Sequence, residues 1–359
     1  MRVLNVFYNF DQGGVERLGI AVANALASTD NESYVCVIND NRDEKLLKLF
    51  NENVHLVLLK KAEKLRKLDY LHQLISLIKT EKIDVMHVHQ GTLMSFYLLV
   101  KLFCPTLRIY FTIHDTYIYS ELSKKNRTIA NIICNKMIAI SDAVVDDMTK
   151  HGAPAEKIKR VYNGVQFTDF EVRNENIITD VPVVVNVARF YPKKKGQDTL
   201  IKAIYVLVSR GEKVKLILAG GELYEGEGSI SRMKELAKTL GVQDYIEFLG
   251  NVSDVNALLK KANVFCIPSN YEGFGISAVE AMGTGLPCIA SNIIGLDEVV
   301  NSDELGLKFN AGNHEELADA IQKVIHSLDS YDPKRIAQNV RERFSIETMI
   351  HELLQVYGE

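Results

Sequence analysis

The sequence predicts an α/β protein made of two doubly wound, Rossmann-like units, each a parallel sheet covered by helices on both faces. Three observations carry this. Short, β-rich apolar runs alternate with longer stretches of helical period along the chain, the pattern of parallel strands joined by crossover helices. The 359 residues, 47% hydrophobic, exceed one ordinary domain and suffice for two cores of ~150 residues each. The polar, aperiodic stretch 166–180 (QFTDFEVRNENIITD) divides the alternation and reads as a linker.

Taken in order, the first half has strand candidates at 3–8, 33–38, 54–58, 85–88, 108–113 and 136–140, with helical stretches such as 15–27 and 70–80 between them. The second half repeats the theme with strands at 183–188, 215–219, 246–249, 264–267 and 287–290. Its helices include 197–209, 229–239, 255–260 and 276–282. The expected boundaries are a first unit over 1–165 and a second over 166–340, with a last helix near 341–359 packing back on the first. Open α/β sheets bind ligands beyond the carboxyl ends of their strands. Two such units facing each other would hold a site in the cleft between them.

Composition excludes some classes and hides an asymmetry. A net charge of −4 lacks the strong basic excess of a dedicated nucleic-acid binder. Residues 1–165, however, hold 22 Lys/Arg against 18 Asp/Glu, and the rest hold 20 against 28, so the halves stand at +4 and −8. The opening MRVLNVFYNFDQGG reads as a strand and a glycine loop, not as a secretory signal. The longest apolar run, 93–104, carries Lys101 and is too short to span a bilayer. Five scattered cysteines without CxxC spacing favour reduced, buried thiols over disulfides or zinc, and hence a cytosolic protein.

Several residues at strand ends are equipped for chemistry. Gly13 and Gly14 follow the first strand and open a helix, where the backbone can approach a phosphate; a lone Gly-Gly equally marks a plain tight turn. Neither GxGxxG nor GxxxxGK[ST] occurs. His114 and Asp115 end another strand, and a histidine there can bond a substrate hydroxyl or shuttle a proton. His87 and His89 resemble half a zinc site, but no third ligand is evident and they read as structural. Arg189 ends the strand 183–188 and Lys193, Lys194, Lys195 and Gly196 follow, a fork donor and a point charge suited to a diphosphate. Then comes EGFGISAVE, 272–280. Glu272 leaves a strand, Gly273 and Gly275 flank Phe274, and a helix opens at Ile276 with its N–H donors toward an anion. Glu272 is placed for a sugar hydroxyl and Glu280 for the paired hydroxyls of a ribose.

Gly13-Gly14, His114-Asp115, Asn163-Gly164-Val165, Arg189 with Lys195-Gly196, and the E-x7-E signature Glu272…Glu280 followed by AMGTGLPCIAS occur in one order. In that order the sequence resembles the retaining family-4 glycosyltransferases of the GT-B fold, from Arg2 to about Asn310. The resemblance implies transfer of a sugar from a nucleotide diphosphate, UDP by frequency and GDP next, with the anomeric configuration kept. Catalytic roles would fall to His114 at the donor sugar, Arg189 and Lys195 at the diphosphate, and Glu272. Donor binding would involve Gly13, Gly14, Lys194, the backbone of Gly273, Phe274, Gly275 and Ile276, and Glu280. Asn251 and Val252, after Gly250, match the segment that lines the base. The three consecutive lysines leave the diphosphate lysine free to shift by one, and Ile294-Gly295 stands where the family has paired glycine. No DxD motif occurs, which agrees with the family's metal-independent, front-face mechanism without a cofactor.

The acceptor would be a glycan or a polyprenyl-diphosphate-linked glycan of bacterial surface polysaccharide, such as capsule or lipopolysaccharide. Residues 60–67 (KKAEKLRK) hold Lys60, Lys61, Lys64, Arg66 and Lys67 against one Glu, and Lys124, Lys125 and Arg127 follow the His114 loop. These read either as solvated faces or as a surface for anionic lipid on the inner leaflet. The rival readings are a GT-B glycosyl phosphorylase, a nucleotide-sugar epimerase and an inactive GT-B scaffold. The Glu272/Glu280 spacing speaks against the epimerase.

Overall fold

In the computed structural model, which describes residues 1–11, 13–59, 67–222 and 226–359, the apolar runs form two separate parallel sheets. The chain divides into a first unit, Met1–Val165 with Ile346–Glu359, and a second, Gln166–Ser345.

The first sheet comprises β1 (Arg2–Phe7), β2 (Glu32–Val37), β3 (Val54–Leu58), β4 (Val85–Val88), β5 (Arg108–Ile113), β6 (Lys136–Ala139) and β7 (Ile158–Arg160). Their order is β3-β2-β1-β4-β5-β6-β7, every pair parallel. Central strands such as RVLNVF are buried almost end to end because helices cover both faces, which is why they read as continuous apolar runs. Chain order reverses between β1 and β4, so the ligand-prone crevice of this sheet lies beyond their carboxyl ends.

One face of the sheet packs Val3, Tyr110 and Ile138 against Leu18, Val22 and Leu26 of the helix Gly14–Ala27, and against Ile350, Leu353 and Tyr357 of the helix Ile346–Gly358. The tail is also anchored by polar contacts. Tyr357 Oη lies 2.5 Å from His87 Nδ1, and Glu359 pairs with Lys136 and Lys159. The end of the chain differs from the single helix expected over 341–359. It is two helices, Pro333–Phe344 and Ile346–Gly358, broken at Ser345, and only the second belongs to the first unit.

The second sheet comprises β8 (Val183–Val187), β9 (Lys215–Ala219), β10 (Ile246–Gly250), β11 (Val264–Ile267), β12 (Cys288–Ser291) and β13 (Gly306–Phe309), ordered β10-β9-β8-β11-β12-β13. Its reversal falls between β8 and β11. Asn186 ties these two strands near their carboxyl ends, donating Nδ2–H to Cys266 O at 2.8 Å. The edge strands β7 (IKR) and β13 (GLKF) escape a reading of the sequence because they are short and half polar, as edges that must not pair with other chains tend to be.

The stretch 166–180 is a strap laid on the second unit, not a free linker. Phe167 is buried, and Arg173 donates to Ala262 O and Leu259 O at 3.0 and 2.8 Å, closing the C-terminal end of the helix Val255–Lys260. Burial pushes the Arg173 guanidinium down to about 10. Asn176 Nδ2 donates to Leu328 O and Tyr331 O, both at 2.7 Å. Its polar composition serves carbonyl groups that the unit would otherwise leave unpaired. The apolar run 93–104 forms the helix Met94–Phe103, and no described helix is long and apolar enough to cross a membrane. All five cysteines are buried and free.

Candidate active site

In the second unit, the loop leaving β8 carries Arg189, the short helix Pro192–Lys195 and Gly196, while the loop leaving β11 runs through Ser269 to Gly275. The two loops are stitched together. Asn270 donates its backbone N–H to Lys194 O at 2.8 Å and its side-chain amide to Lys193 O at 3.0 Å. Gly196 makes the approach feasible, because at φ +66° an ideal Cβ there would stand 1.9 Å from Pro268 O.

This stitching brings Lys195 Nζ to 2.5 Å from Glu272 Oε2, with the two side chains only 23% and 11% exposed. Ser269 Oγ donates to the same oxygen at 3.2 Å. One carboxylate oxygen is thus held by two donors, and no described residue hydrogen-bonds Oε1. Lys194 turns elsewhere, its ammonium 5.1 Å from the Tyr271 ring centroid, within cation–π range. Arg189 keeps an exposed side chain, while its carbonyl accepts from the buried Gln197 amide at 2.9 Å.

The glycines of EGFGISAVE have separate tasks. Gly275 caps the helix Ile276–Gly283 at φ +86°, where a Cβ would meet Leu296 at 2.6 Å. Gly295, of the unpaired Ile294-Gly295, lies so close that its Cβ would reach Glu272 O at 2.5 Å. Glu280 is half-buried one turn further along the helix. The Phe274 side chain turns inward. The ring is 2% exposed and packs edge-to-face on Phe344 at 5.2 Å, so only its backbone is available to a ligand.

Asn251 and Val252 follow β10, and the Asn251 side chain lies over Gly221, 2.7 Å from where a Cβ would stand. Gly220, at φ +139°, lets the end of β9 come against Ala188 O. Gly220-Gly221 thereby joins the Asn251 loop to the Arg189 loop. Sequence reading passed over this pair, although Gly-Gly directly after an apolar strand is the same signal that marks Gly13-Gly14. Ser269 was also missed, since one serine in a loop carries no pattern.

In the first unit, Gly13 and Gly14 open the helix Gly14–Ala27 after β1. A Cβ on Gly14 would meet nothing within 4 Å, but one on Gly13 would touch Glu16 Oε2 at 2.2 Å. The Glu16 carboxylate therefore sits at the helix start, where an anion would have to displace it. Asn163-Gly164-Val165 is the exit of the unit, with Val165 O accepting from Ile346 N at 3.0 Å.

His114 follows β5 and His89 follows β4; His89 Nδ1 lies 2.9 Å from His114 Nε2. Asp115 turns back on its own loop, accepting from Thr116 N at 2.9 Å. Both nitrogens of His87 are engaged, by Tyr357 Oη and by Thr112 Oγ1 at 2.6 Å. Among the described residues no group of three or more His, Cys, Asp or Glu is placed to hold a metal ion. Burial pushes His87 down to about 3 and His114 to about 4, with His89 also well below the ordinary histidine value.

Folded values below the unfolded one mean that acid protonates the unfolded chain first. Stability is therefore fully present above pH 6.5 and is lost as pH falls toward the folded values. Each such histidine contributes a slope of up to about 1.4 kcal/mol per pH unit. Urea midpoints of the first unit's transition should fall between pH 6.5 and 5, above the range where carboxylates titrate. A flat midpoint over that interval contradicts neutral burial of these rings.

Of the basic residues expected at a surface, Lys60, Lys61, Lys64 and Arg66 lie outside the described residues, as does the side chain of Lys67. Lys124 and Lys125 are exposed at the start of the helix Lys124–Ile133. Arg127 departs from that expectation: half-buried, it donates to Ser120 O at 3.2 Å and serves the fold.

Comparison with known proteins identifies the family. The family model described as Glycosyl transferases group 1 matches residues 167–343, and that described as Glycosyltransferase Family 4 matches residues 12–168. An uncharacterized glycosyltransferase of Haemophilus influenzae is 25% identical over 356 residues, 95% of each chain. The capsular polysaccharide biosynthesis glycosyltransferase CapM of Staphylococcus aureus is 30% identical over 246 residues, 64% of this chain and 63% of CapM. Among solved structures, Anabaena Alr3699/HepE in complex with UDP and glucose superposes with a TM-score of 0.83 over the whole of both chains at 20% identity, a likeness of fold. With two family models spanning nearly all of both units and the E-x7-E loop in place, the chain belongs to the family-4 glycosyltransferases of the GT-B fold.

Proposed function

We propose that this enzyme is a retaining glycosyltransferase that moves a sugar from a nucleoside diphosphate, UDP before GDP, to a glycan or lipid-linked glycan acceptor of surface polysaccharide. The observation that carries the reading is the Lys195–Glu272 pair at the strand-order reversal of the second unit. As the bond from the sugar to the diphosphate breaks, charge grows on the departing phosphate oxygen. An ammonium and a guanidinium placed beforehand stabilise that charge more than the ground state, which is what accelerates the step. Lys195 and Arg189 take this role, Glu272 Oε1 binds a sugar hydroxyl, and Glu280 binds the ribose.

Retention follows if the acceptor oxygen attacks on the face the diphosphate leaves and the departing oxygen takes the acceptor's proton. Support for UDP comes from HepE, whose structure holds UDP and glucose, and support for the acceptor class from CapM, named for capsular polysaccharide. No metal or cofactor is assigned a part.

A thermal-shift screen of UDP-, GDP- and ADP-sugars tests the reading. At a hundredfold excess over Kd, a donor stabilises the native state by about 2.7 kcal/mol, roughly 5–10 °C for a unit of this size. UDP-sugars should give the largest shift, and anomeric couplings in the product spectrum should match those of the donor. No shift from any nucleotide sugar, or an inverted product, opposes the proposal.

A further inference from the structure

We infer that His89, with Asn5 behind it, is a positioning residue that fixes the ring orientation and the tautomer of His114. The inference rests on the reading of His114 as a donor-sugar contact and deepens it. His89 stands directly after β4, at the strand-order reversal between β1 and β4, and His114 stands at the end of the neighbouring strand β5. Asn5 is a fully buried member of β1, in register with His87 of β4.

The hydrogen bonds run in one direction. The Asn5 amide presents Oδ1 to His89 Nε2 at 3.3 Å and leaves its own buried Nδ2 without a partner; in that orientation the carbonyl oxygen only accepts, so Nε2 of His89 carries the proton. A neutral imidazole has one N–H, which leaves His89 Nδ1 as a lone pair. His114 Nε2, 2.9 Å away, must then be the donor. His114 is itself held neutral by burial, so its Nδ1 is bare, and no described residue engages it. The ring at this strand end is thereby an acceptor, ready for a hydroxyl proton and unable to offer one. Phe7 holds the arrangement from the side, stacked on His89 at 4.4 Å and 13°.

Nitrogen-15 correlation spectra of the full chain read the tautomer directly, without any substitution. The wild-type protein should show His114 protonated at Nε2 and bare at Nδ1. A proton on Nδ1 instead overturns the inference. His89→Phe keeps the stacked ring and removes the acceptor; His89→Gln keeps both functions, because its amide oxygen can accept from His114 while its NH2 donates to Asn5.

In His89→Phe the His114 signals should become a mixture of tautomers. Release of nucleoside diphosphate from the donor that gives the largest thermal shift should slow about tenfold in kcat, the order of one lost positioning hydrogen bond, with KM nearly unchanged. His89→Gln should restore both readouts. An unaltered His114 tautomer in His89→Phe, or an unaltered kcat there while His114→Ala loses turnover, overturns the inference. If His114→Ala turns over normally while the wild-type tautomer is as stated, the donor-sugar reading of His114 fails and the geometry that positions it stands.

Discussion

Lys195→Met should lower kcat/KM for sugar transfer by about 10²–10³-fold, the usual loss when one preorganised donor to a developing anion is removed. Methionine keeps the apolar stem and removes only the ammonium. Lys195 lies across a one-turn helix and the Gly196 contact from β11, so its charge is already in place before any ligand arrives. Preorganisation of that kind is what makes the donor effective in the transition state. The Glu272 carboxylate, 11% exposed, then keeps only Ser269 as a described partner, a cost that is separate from catalysis. Glu272→Gln in the same chain relieves that cost, so the double variant should regain thermal stability without regaining turnover. Arginine at 195 should rescue poorly, because its longer planar fork cannot reproduce a point charge held at 2.5 Å. Near-wild-type turnover in Lys195→Met would remove this pair from the proposed mechanism.

Gly196→Ala is expected to destabilise the second unit strongly and to open its site loops. Two separate costs add. A non-glycine residue at φ +66° is strained by roughly 1–2 kcal/mol. Its Cβ would also stand 1.9 Å from Pro268 O, a backbone atom that cannot rotate away. Either the loop 192–196 or the loop 268–272 must move, breaking the Asn270 bonds to Lys193 and Lys194 and separating Lys195 from Glu272. The combined loss should be about 3 kcal/mol or more, a fall in Tm of roughly 6–12 °C for a unit of this size.

Gly211→Ala is the control. It shares a left-handed backbone at φ +85° but has open space around the added carbon, so it should cost only the strain. Equal melting temperatures for the two variants would show that the two loops are not packed through Gly196. Donor affinity should fall with Gly196→Ala and hold with Gly211→Ala.

The central strands were legible because parallel strands buried on both faces must be apolar throughout, as in VVVNV and KLILA. The edge strands β7 and β13 were not, since a half-polar run of three or four residues has no period to read. The strap 166–180 was misread for a related reason. Its polar residues looked solvated, yet Arg173 and Asn176 face carbonyl groups about 85 to 155 residues away in sequence, and no local pattern announces such partners.

Within the candidate site, residue types and their spacing mark Glu272, Glu280, Arg189 and the lysine run as candidates. Three adjacent lysines cannot be ranked from sequence, because the phase of a single helical turn decides which one faces β11. It turns Lys195 to Glu272 and Lys194 to Tyr271. The inward turn of the Phe274 ring against Phe344 is likewise set by packing that no local pattern announces.

By itself, then, the sequence determined two parallel α/β units and the loops at their strand ends, since periodicity and glycine placement act within a few residues of the chain. Only the tertiary structure decided which polar groups meet across those loops. The strand order puts β4 beside both β1 and β5, so His89 can bond His114 in front of it and Asn5 behind. Pairing of that kind depends on which strands become neighbours, a property of the closed sheet and not of any segment of it.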